Sequence, residues 1–217
     1  MTHLLSFTRR IIAAHQSVQQ GRWERFLGSG VHGKTLGIIG VGRIGRAIAE
    51  RARGFGIHCI GYDPYQDADF FTEAGVTRIT ELQDLLGRSD FVSINIPLTD
   101  ETRGLISDRT IDLMQPHALI INTSRGSVVD EAAICRALEK KRIGGYATDV
   151  FETEPPGNSP LLAFDTVQCS PHIASYTEDS MRSLGECVIE GITAVFSGER
   201  PEHILNPEVL TVSESTR

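Results

Sequence analysis

The sequence lacks the features that mark several large classes of protein. Its four cysteines form no CxxC pair, and no Cys/His cluster has the spacing of a metal site. It shows no signal-peptide pattern, and no apolar run reaches the ~18 residues that a membrane span requires. With a net charge of −7, it has no basic excess that would attract nucleic acid. We therefore expect no metal, no membrane partner and no nucleic-acid partner, a reduced cytoplasmic setting, and cysteines that serve as small core residues.

The 217 residues, 40% of them hydrophobic, suffice for one good core. Short apolar runs of strand length alternate with helical patterns along most of the chain. The predicted strands cover 36–39, 57–60, 91–96, 118–121, 144–149 and 166–169, and the predicted helices cover 44–55, 81–87, 107–114 and 130–141. Repeated strand–helix units predict the α/β class: a Rossmann-type, doubly wound parallel sheet with helices on both faces.

Two segments lie outside this alternation. Apolar residues recur at helical spacing over 3–20 and again over 176–197, which predicts two long amphipathic helices flanking the sheet. Their apolar stripes need a partner surface, which the sheet, a second subunit or another domain could provide.

A glycine-rich segment follows the first predicted strand. Gly40, Gly42 and Gly45 form GxGxxG at the start of a helix, a pattern that serves a tight turn, close approach to a pyrophosphate and helix–strand packing. Asp63 ends the next apolar run, where its carboxylate can bind ribose hydroxyls. That carboxylate favours NAD over NADP, although Arg43 can still reach a phosphate. The alternative is an incidental glycine-rich turn with an exposed Asp63.

Three further motifs follow in order: "NTSRGSVVDE" (122–131), "DVFETEPP" (149–156) and "SPHIAS" (170–175). With them and the glycine segment, the sequence resembles the D-isomer-specific 2-hydroxyacid dehydrogenases over roughly residues 4–210. The resemblance includes "GKTLGIIGVGRIG", "IPLTDETRGLI" and the closing "NPEVL".

The resemblance implies roles for particular residues. Arg125 would hold the carboxylate or carbonyl of the substrate, His172 would be the acid/base, and Glu154 would pair with that histidine. Asp149 would lie near the nicotinamide of an NAD cofactor. The residues implied in cofactor binding are Gly40, Gly42, Arg43, Ile44, Gly45, Asp63, Pro97, Thr123, Ser124, Arg125, Asp149 and His172.

The implied chemistry is physically reasonable. Hydride transfer at a carbon that bears oxygen requires a group that gives or takes a proton near neutral pH. A histidine paired with a carboxylate suits that task, and the planar fork of an arginine suits a carboxylate. Taken singly, each of these residues is more commonly structural, but their joint position after strand ends favours a site. The remaining histidines, His3 among them, are interpreted as structural.

Members of the family usually carry a smaller flavodoxin-like domain ahead of the helix that begins here near Thr2. We therefore expect three parts: a linking helix over 1–28, an NAD-binding domain over 29–174, and a helix with a tail over 175–217. The resemblance implies a small 2-hydroxy or 2-keto acid substrate and a homodimer. This chain alone is expected to bind NAD with weak or no turnover. The alternative is a non-catalytic NAD(H)-binding module resembling a corepressor.

Overall fold

A seven-stranded, all-parallel sheet forms the centre of the computed structural model, which describes residues 1–207. The end of the "NPEVL" segment, 208–210, lies outside the described residues. The strands are β1 (Thr35–Ile39), β2 (His58–Tyr62), β3 (Thr77–Arg78), β4 (Phe91–Ile94), β5 (Leu119–Asn122), β6 (Gly145–Thr148) and β7 (Val167–Cys169). All six predicted strands are confirmed, whereas the short edge strand β3, which has only two residues, was not predicted.

Five α-helices connect successive strands from β1 to β6, a 3₁₀ turn lies between β6 and β7, and the other helices precede β1 or follow β7. The helices are α1 (Thr2–Thr8), α2 (Ile11–Gln19), α3 (Arg43–Arg53), α4 (Ala68–Ala74), α5 (Leu82–Arg88), α6 (Asp108–Ile111), α7 (Glu131–Glu139) and α8 (Glu178–Phe196), with 3₁₀ turns at Gly126–Val128 and Pro160–Ala163. Asp130 caps α7 by accepting the N–H of Ala133 at 2.9 Å. Helix α4 was not predicted, and α6 is shorter than the 107–114 segment expected.

Side chains of alternate strand residues pack into two separate hydrophobic cores, one on each face of the sheet. On one face, Ile39 and Ile120 pack with buried side chains of α5, α6 and α7. On the other, Leu36, Ile38 and Ile121 pack with side chains of α1, α3 and α4. Because both faces are covered, the central strands are buried along their length rather than on alternate residues, and the predicted doubly wound fold is confirmed.

The strand order β3-β2-β1-β4-β5-β6-β7 reverses direction between β1 and β4. Such a reversal opens a crevice beyond the carboxyl ends of the strands, where open α/β sheets bind their ligands. The ladder confirms the parallel register there, with Ile39 opposite Ile94. A site is therefore expected in the loops that follow the carboxyl ends of the strands.

The single helix predicted over 3–20 is wrong in detail, because the segment forms two short helices. Arg10 adopts a left-handed backbone conformation with φ of 53°, which interrupts the helical hydrogen-bond ladder between α1 and α2. No glycine or proline marks that break. The expectation for the cysteines also holds only in part, since Cys59 is buried whereas Cys169 and Cys187 are exposed.

Residues 1–172 form one compact unit, and a second begins at Ile173. Within the second unit, α8 confirms the helix predicted over 176–197, and its N-cap Thr177 accepts the N–H of Ser180 at 3.2 Å. Its apolar side chains, including Leu184 and Ile192, are exposed. No helix within residues 1–207 combines the length and the apolar character needed to cross a bilayer.

Candidate active site

The three glycines of the first strand–helix junction differ in what surrounds them. Gly40 has φ of +86°, and an added Cβ would lie 2.6 Å from the carbonyl oxygen of Asn95. At Gly45 an added Cβ would collide with the carbonyl oxygen of Gly40, so the close packing of α3 on β1 requires glycine. A Cβ at Gly42 would meet nothing within 4 Å. Gly40 and Gly45 thus have a role in the fold itself, whereas Gly42 borders open space that a ligand can occupy.

That open space lies at the amino terminus of α3. Gly42 is the N-cap and has no side chain to bond the first backbone N–H groups, and Arg43 and Ile44 of the first turn are exposed. Amide hydrogens and the positive end of a helix dipole favour an anion at such a place. This open space at the start of α3, which we call the nucleotide cradle, therefore fits a pyrophosphate.

Asp63 lies beside this junction, one residue after β2. Its Oδ2 accepts the backbone N–H of Val41 at 2.9 Å, and its Oδ1 accepts the N–H of Tyr65 at 3.0 Å. Both bonds come from the backbone, so they fix the carboxylate next to the glycine loop. The carboxylate is only half-buried, and its remaining lone pairs can accept bonds from ribose hydroxyls.

The ends of β4 and β5 contribute two further loops. The carbonyl oxygen of Pro97 accepts the hydroxyl of Thr102 at 2.7 Å, which folds the loop after β4 back on itself. After β5, the buried Asn122 donates to the carbonyl of Arg125 at 3.0 Å and accepts the N–H of Ser124 at 3.0 Å. Asn122 thereby sets the shape of the loop that carries Thr123, Ser124 and Arg125.

Arg125 is exposed at the tip of that loop. Its Nη1 donates to the carbonyl of Ser124 at 2.7 Å, and no salt bridge involves it among residues 1–207. Its other guanidinium donors can therefore bind an anion without breaking an ion pair.

His172 and Glu154 form the central pair of the site. Nδ1 of His172 lies 2.8 Å from Oε2 of Glu154, and Oε1 of Glu154 accepts the N–H of Phe151 at 3.1 Å. The hydrogen bond from His172 lowers the pKa of Glu154, although its partial burial opposes the shift. An ionised carboxylate only accepts, so the proton of the ring lies on Nδ1 and Nε2 faces away from the pair.

The backbone around His172 is unusual and held in place. His172 has φ of 53°, in the left-handed region that residues other than glycine seldom adopt. Its N–H donates to the carbonyl of Asp149 at 2.8 Å, and the N–H of Asp149 donates to the carbonyl of Asn122 at 2.9 Å. The loops after β5, β6 and β7 are therefore tied together by main-chain bonds at one edge of the sheet.

Asp149 is itself buried, and its carboxylate accepts the hydroxyl of Ser170. Ser170 is in turn bonded to the ring of His3, which sequence reasoning had interpreted as structural. The buried Asn122 belongs to the "NTSRGSVVDE" motif, but its residue type alone does not predict a role in the site. A polar residue at the end of an apolar strand was the available signal for Asn122, whereas no local pattern pointed to His3.

All the predicted site residues follow the carboxyl ends of strands of this one sheet, in the order that the motifs suggested. The structure brings Glu154 and His172 into direct contact, and it links Asp149 to the loop of Thr123–Arg125 through Asn122. The individual roles of these residues remain predictions. No group of three His, Cys, Asp or Glu side chains suited to a metal ion occurs in the part of the chain that the structure describes.

Comparison with known proteins agrees with this geometry. The family model for "D-isomer specific 2-hydroxyacid dehydrogenase, NAD binding domain" matches residues 1–174. The chain is 41% identical over 219 residues to glyoxylate reductase of Thermococcus litoralis, covering 97% of this chain and 66% of that protein. It is 40% identical over 205 residues to D-3-phosphoglycerate dehydrogenase of Methanocaldococcus jannaschii, covering 94% of this chain and 39% of that protein. The chain thus spans less than two thirds of the length of these relatives.

Solved structures are similar as well. D-lactate dehydrogenase of Escherichia coli superposes with a TM-score of 0.85 at 32% identity, over 94% of this chain and 64% of that one. D-lactate dehydrogenase of Aquifex aeolicus, solved with NAD and lactic acid, superposes with a TM-score of 0.81 at 31% identity, over 91% and 64%. The predicted NAD cofactor is confirmed by the family match. Because that match covers most of the chain, the chain belongs to the D-isomer-specific 2-hydroxyacid dehydrogenases, and residues 1–174 are matched by the NAD-binding domain of that family.

Proposed function

We propose that this chain is the cofactor-binding and acid/base part of an NAD-dependent oxidoreductase that interconverts small D-2-hydroxy acids and 2-keto acids. The observation that carries the proposal is the 2.8 Å contact between His172 and Glu154, at the same edge of the sheet as the glycine loop. An acid/base pair and a nucleotide cradle at one edge are the two parts that hydride transfer to a carbonyl requires.

The cradle consists of this chain's own backbone and one carboxylate. The first N–H groups of α3 bind the pyrophosphate, Gly42 leaves room for it, and Asp63 accepts bonds from the adenosine ribose. When bound, NAD supplies the hydride acceptor and NADH the hydride donor. The proposed contacts of Pro97, Thr123 and Ser124 follow from their position at the ends of β4 and β5.

His172 exchanges a proton with the substrate oxygen through Nε2, while Nδ1–H donates to Glu154. Glu154 keeps the ring oriented, because its second oxygen is held by the N–H of Phe151. Arg125 binds the carboxylate or carbonyl of the substrate with its unpaired guanidinium donors. The three residues have complementary roles: His172 transfers the proton, Glu154 orients the His172 ring, and Arg125 binds the substrate.

Small 2-keto acids suit the site and agree with the relatives, which include glyoxylate reductases and D-lactate dehydrogenases. The chain spans 66% of the glyoxylate reductase, and we propose that the additional part of such proteins closes the substrate cleft. Arg125 and His172 are exposed here, so water reaches both and the substrate is poorly held. We therefore propose that the 217-residue chain binds NAD but turns over weakly. A homodimer and a cytoplasmic setting remain predictions.

The test combines binding with turnover. Calorimetry measures NAD and NADH binding to the purified chain, and absorbance follows NADH oxidation by glyoxylate, hydroxypyruvate and pyruvate. The same assays are run on an N-terminally extended version that carries a substrate domain. The expected result is similar NADH affinity in both and faster turnover in the extended version. Absence of nucleotide binding would contradict the proposal, and binding with no turnover in either version would support the corepressor-like alternative.

A further inference from the structure

Four polar side chains form a continuous series that ends on Asp149. Nε2 of Gln168 lies 2.8 Å from Nδ1 of His3, Nε2 of His3 lies 3.0 Å from Oγ of Ser170, and Oγ of Ser170 donates to Oδ1 of Asp149. The series joins α1 to the carboxyl end of β7 and then to the residue after β6. Two of its members, His3 and Gln168, lie outside the motifs to which the proposed function assigns roles.

The contact between Ser170 and Asp149 fixes the direction of the other bonds. The hydroxyl of Ser170 donates to Oδ1 of Asp149, so its hydrogen points at that carboxylate. Oγ of Ser170 must then accept from Nε2–H of His3. Nδ1 of His3 is left as an acceptor, and the amide of Gln168 is the donor it needs. A neutral ring with its hydrogen on Nε2 satisfies all three contacts at once.

The surroundings of His3 support a neutral ring. Burial lowers the pKa of His3 more than the charge of Asp149 raises it. His3 lies at the start of α1, next to the fully buried Leu4, which anchors that helix in the core. The half-buried ring is therefore carried by an anchored helix and oriented by two hydrogen bonds.

We propose that His3 is a positioning residue, which accepts from Gln168 and donates to Ser170 so that the hydroxyl of Ser170 is aimed at Asp149. This proposal rests on the proposed function, together with the place near the nicotinamide that the family resemblance implies for Asp149. The ring of the nicotinamide is cationic in NAD and neutral in NADH. A carboxylate beside it therefore favours NAD, and a hydrogen bond to that carboxylate favours its ionised form.

The first experiment reads the tautomer in the chain without nucleotide. Nitrogen-15 NMR of the His3 ring is expected to show hydrogen on Nε2 and none on Nδ1. In Gln168→Glu the new carboxylate can only accept, so the hydrogen is expected to move to Nδ1. Hydrogen on Nδ1 in the wild-type chain would overturn the proposal, whether or not nucleotide binds.

The second experiment separates the hydrogen bond from packing. His3→Gln keeps an N–H donor near the position of Nε2, whereas His3→Phe keeps the volume of the ring and removes both nitrogens. We expect His3→Phe and Ser170→Ala each to weaken NAD binding about tenfold with little change for NADH, and His3→Gln to retain most of the affinity. The same two changes at His15, exposed on α2, are the matched controls.

A double variant completes the test. Because His3 acts through Ser170, His3→Phe combined with Ser170→Ala is expected to bind NAD as Ser170→Ala does. Additive losses, equal losses for NAD and NADH, or wild-type binding by His3→Phe would each overturn the proposal. If the wild-type chain binds neither nucleotide, the proposed function fails, and the ring spectrum alone decides the arrangement around His3.

Discussion

Glu154 accepts two hydrogen bonds that hold it in one orientation: from Nδ1 of His172 at 2.8 Å and from the backbone N–H of Phe151 at 3.1 Å. The main-chain bond fixes the carboxylate independently of the histidine. Glu154 therefore keeps its position even if the His172 ring rotates, and so it favours one orientation of that ring. This relationship makes Glu154 a residue whose charge can be tested without dismantling the loop.

Replacing Glu154 by glutamine keeps the size of the side chain but removes the charge and one of its two acceptor oxygens. If the remaining oxygen accepts from Phe151, the amide group faces Nδ1 of His172. We expect kcat/KM for glyoxylate to fall about a hundredfold or more, since general acid–base catalysis contributes factors of that order. The affinity for NADH should change less than about twofold, because Glu154 is not one of the groups that hold the pyrophosphate or the ribose in the proposed function. Steady-state kinetics on the extended version and calorimetry on the chain measure the two effects.

Glu139→Gln is the matched control for that change. Glu139 is exposed at the end of α7, so the same loss of charge should leave both kinetics and binding as in the wild type. A Glu154→Gln variant with unchanged kcat/KM would mean that the ring of His172 needs no carboxylate partner, or that His172 is not the acid/base.

Replacing Gly42 or Gly45 by alanine should affect different properties: NADH affinity at Gly42 and the stability of the fold at Gly45. Gly42→Ala adds a methyl group to open space at φ of −69°, so the free energy of unfolding should fall by no more than about 1 kcal/mol, the cost of alanine at an N-cap. NADH affinity should nevertheless fall about tenfold or more, because the methyl group occupies the place of the pyrophosphate. Gly45→Ala forces the methyl group against the carbonyl of Gly40 and should destabilise the fold by about 1–3 kcal/mol.

Urea unfolding and calorimetry on the two variants distinguish the roles. Each variant is the control for the other, since both changes add one methyl group within the same strand–helix junction. A Gly42→Ala variant that binds NADH as tightly as the wild type would indicate that the pyrophosphate does not lie against this loop.

Much of this fold could be predicted from the sequence because its signals are local. The central strands are mostly apolar and buried on both faces, as parallel strands covered by helices are, and the acids at Asp130 and Glu131 mark the start of α7. The elements that were missed have weak local signals. Strand β3 has two residues, both exposed, and the break at Arg10 depends on a backbone conformation that arginine does not favour.

The candidate site likewise has one part that the sequence predicts and another that it does not. Glu154 and His172 lie in compact motifs at strand ends, so the resemblance could point to both. The link from His3 to Asp149 spans the length of the domain in sequence and arises only when α1 packs beside β7. Contacts between residues so far apart leave no periodicity or spacing in a single sequence, and His3 was for that reason interpreted as structural.

Asp63 offers a test of cofactor preference. Its two oxygens accept the N–H groups of Val41 and Tyr65, and an asparagine there has only one oxygen to offer. Asp63→Asn should weaken NADH binding about tenfold through the lost ribose bonds. The preference for NADH over NADPH should fall by at least as much, because the carboxylate no longer repels a 2′-phosphate.

Fluorescence titration with both nucleotides at low ionic strength measures that ratio. Asp69→Asn, at an exposed position in the first turn of α4, makes the same change of charge away from the loop and should leave the ratio unaltered. A variant with an unchanged ratio would place the ribose elsewhere.

Asp90, at the opposite edge of the sheet from the candidate site, predicts part of the acid sensitivity of the fold. Burial opposes ionisation there, but the N–H of Thr35 at 2.8 Å, Nε2 of His117 at 2.7 Å and Nζ of Lys34 at 3.1 Å together lower the pKa of Asp90. A carboxyl with a lowered pKa in the folded state stabilises the fold above its unfolded value, near ~3.9, and loses that contribution as pH falls through the folded value.

Asp90→Asn removes this contribution at neutral pH and should destabilise the fold by about 1–2 kcal/mol, since two of the three partners are themselves exposed and screened by water. As the pH is lowered past about 4, the wild type loses the same contribution and the difference between the two proteins should shrink. Urea unfolding at pH 7, 5 and 3 measures the difference, with Asp165→Asn as an exposed control. A difference that stays constant down to pH 3 would contradict the assignment, because it would then arise from packing rather than from charge.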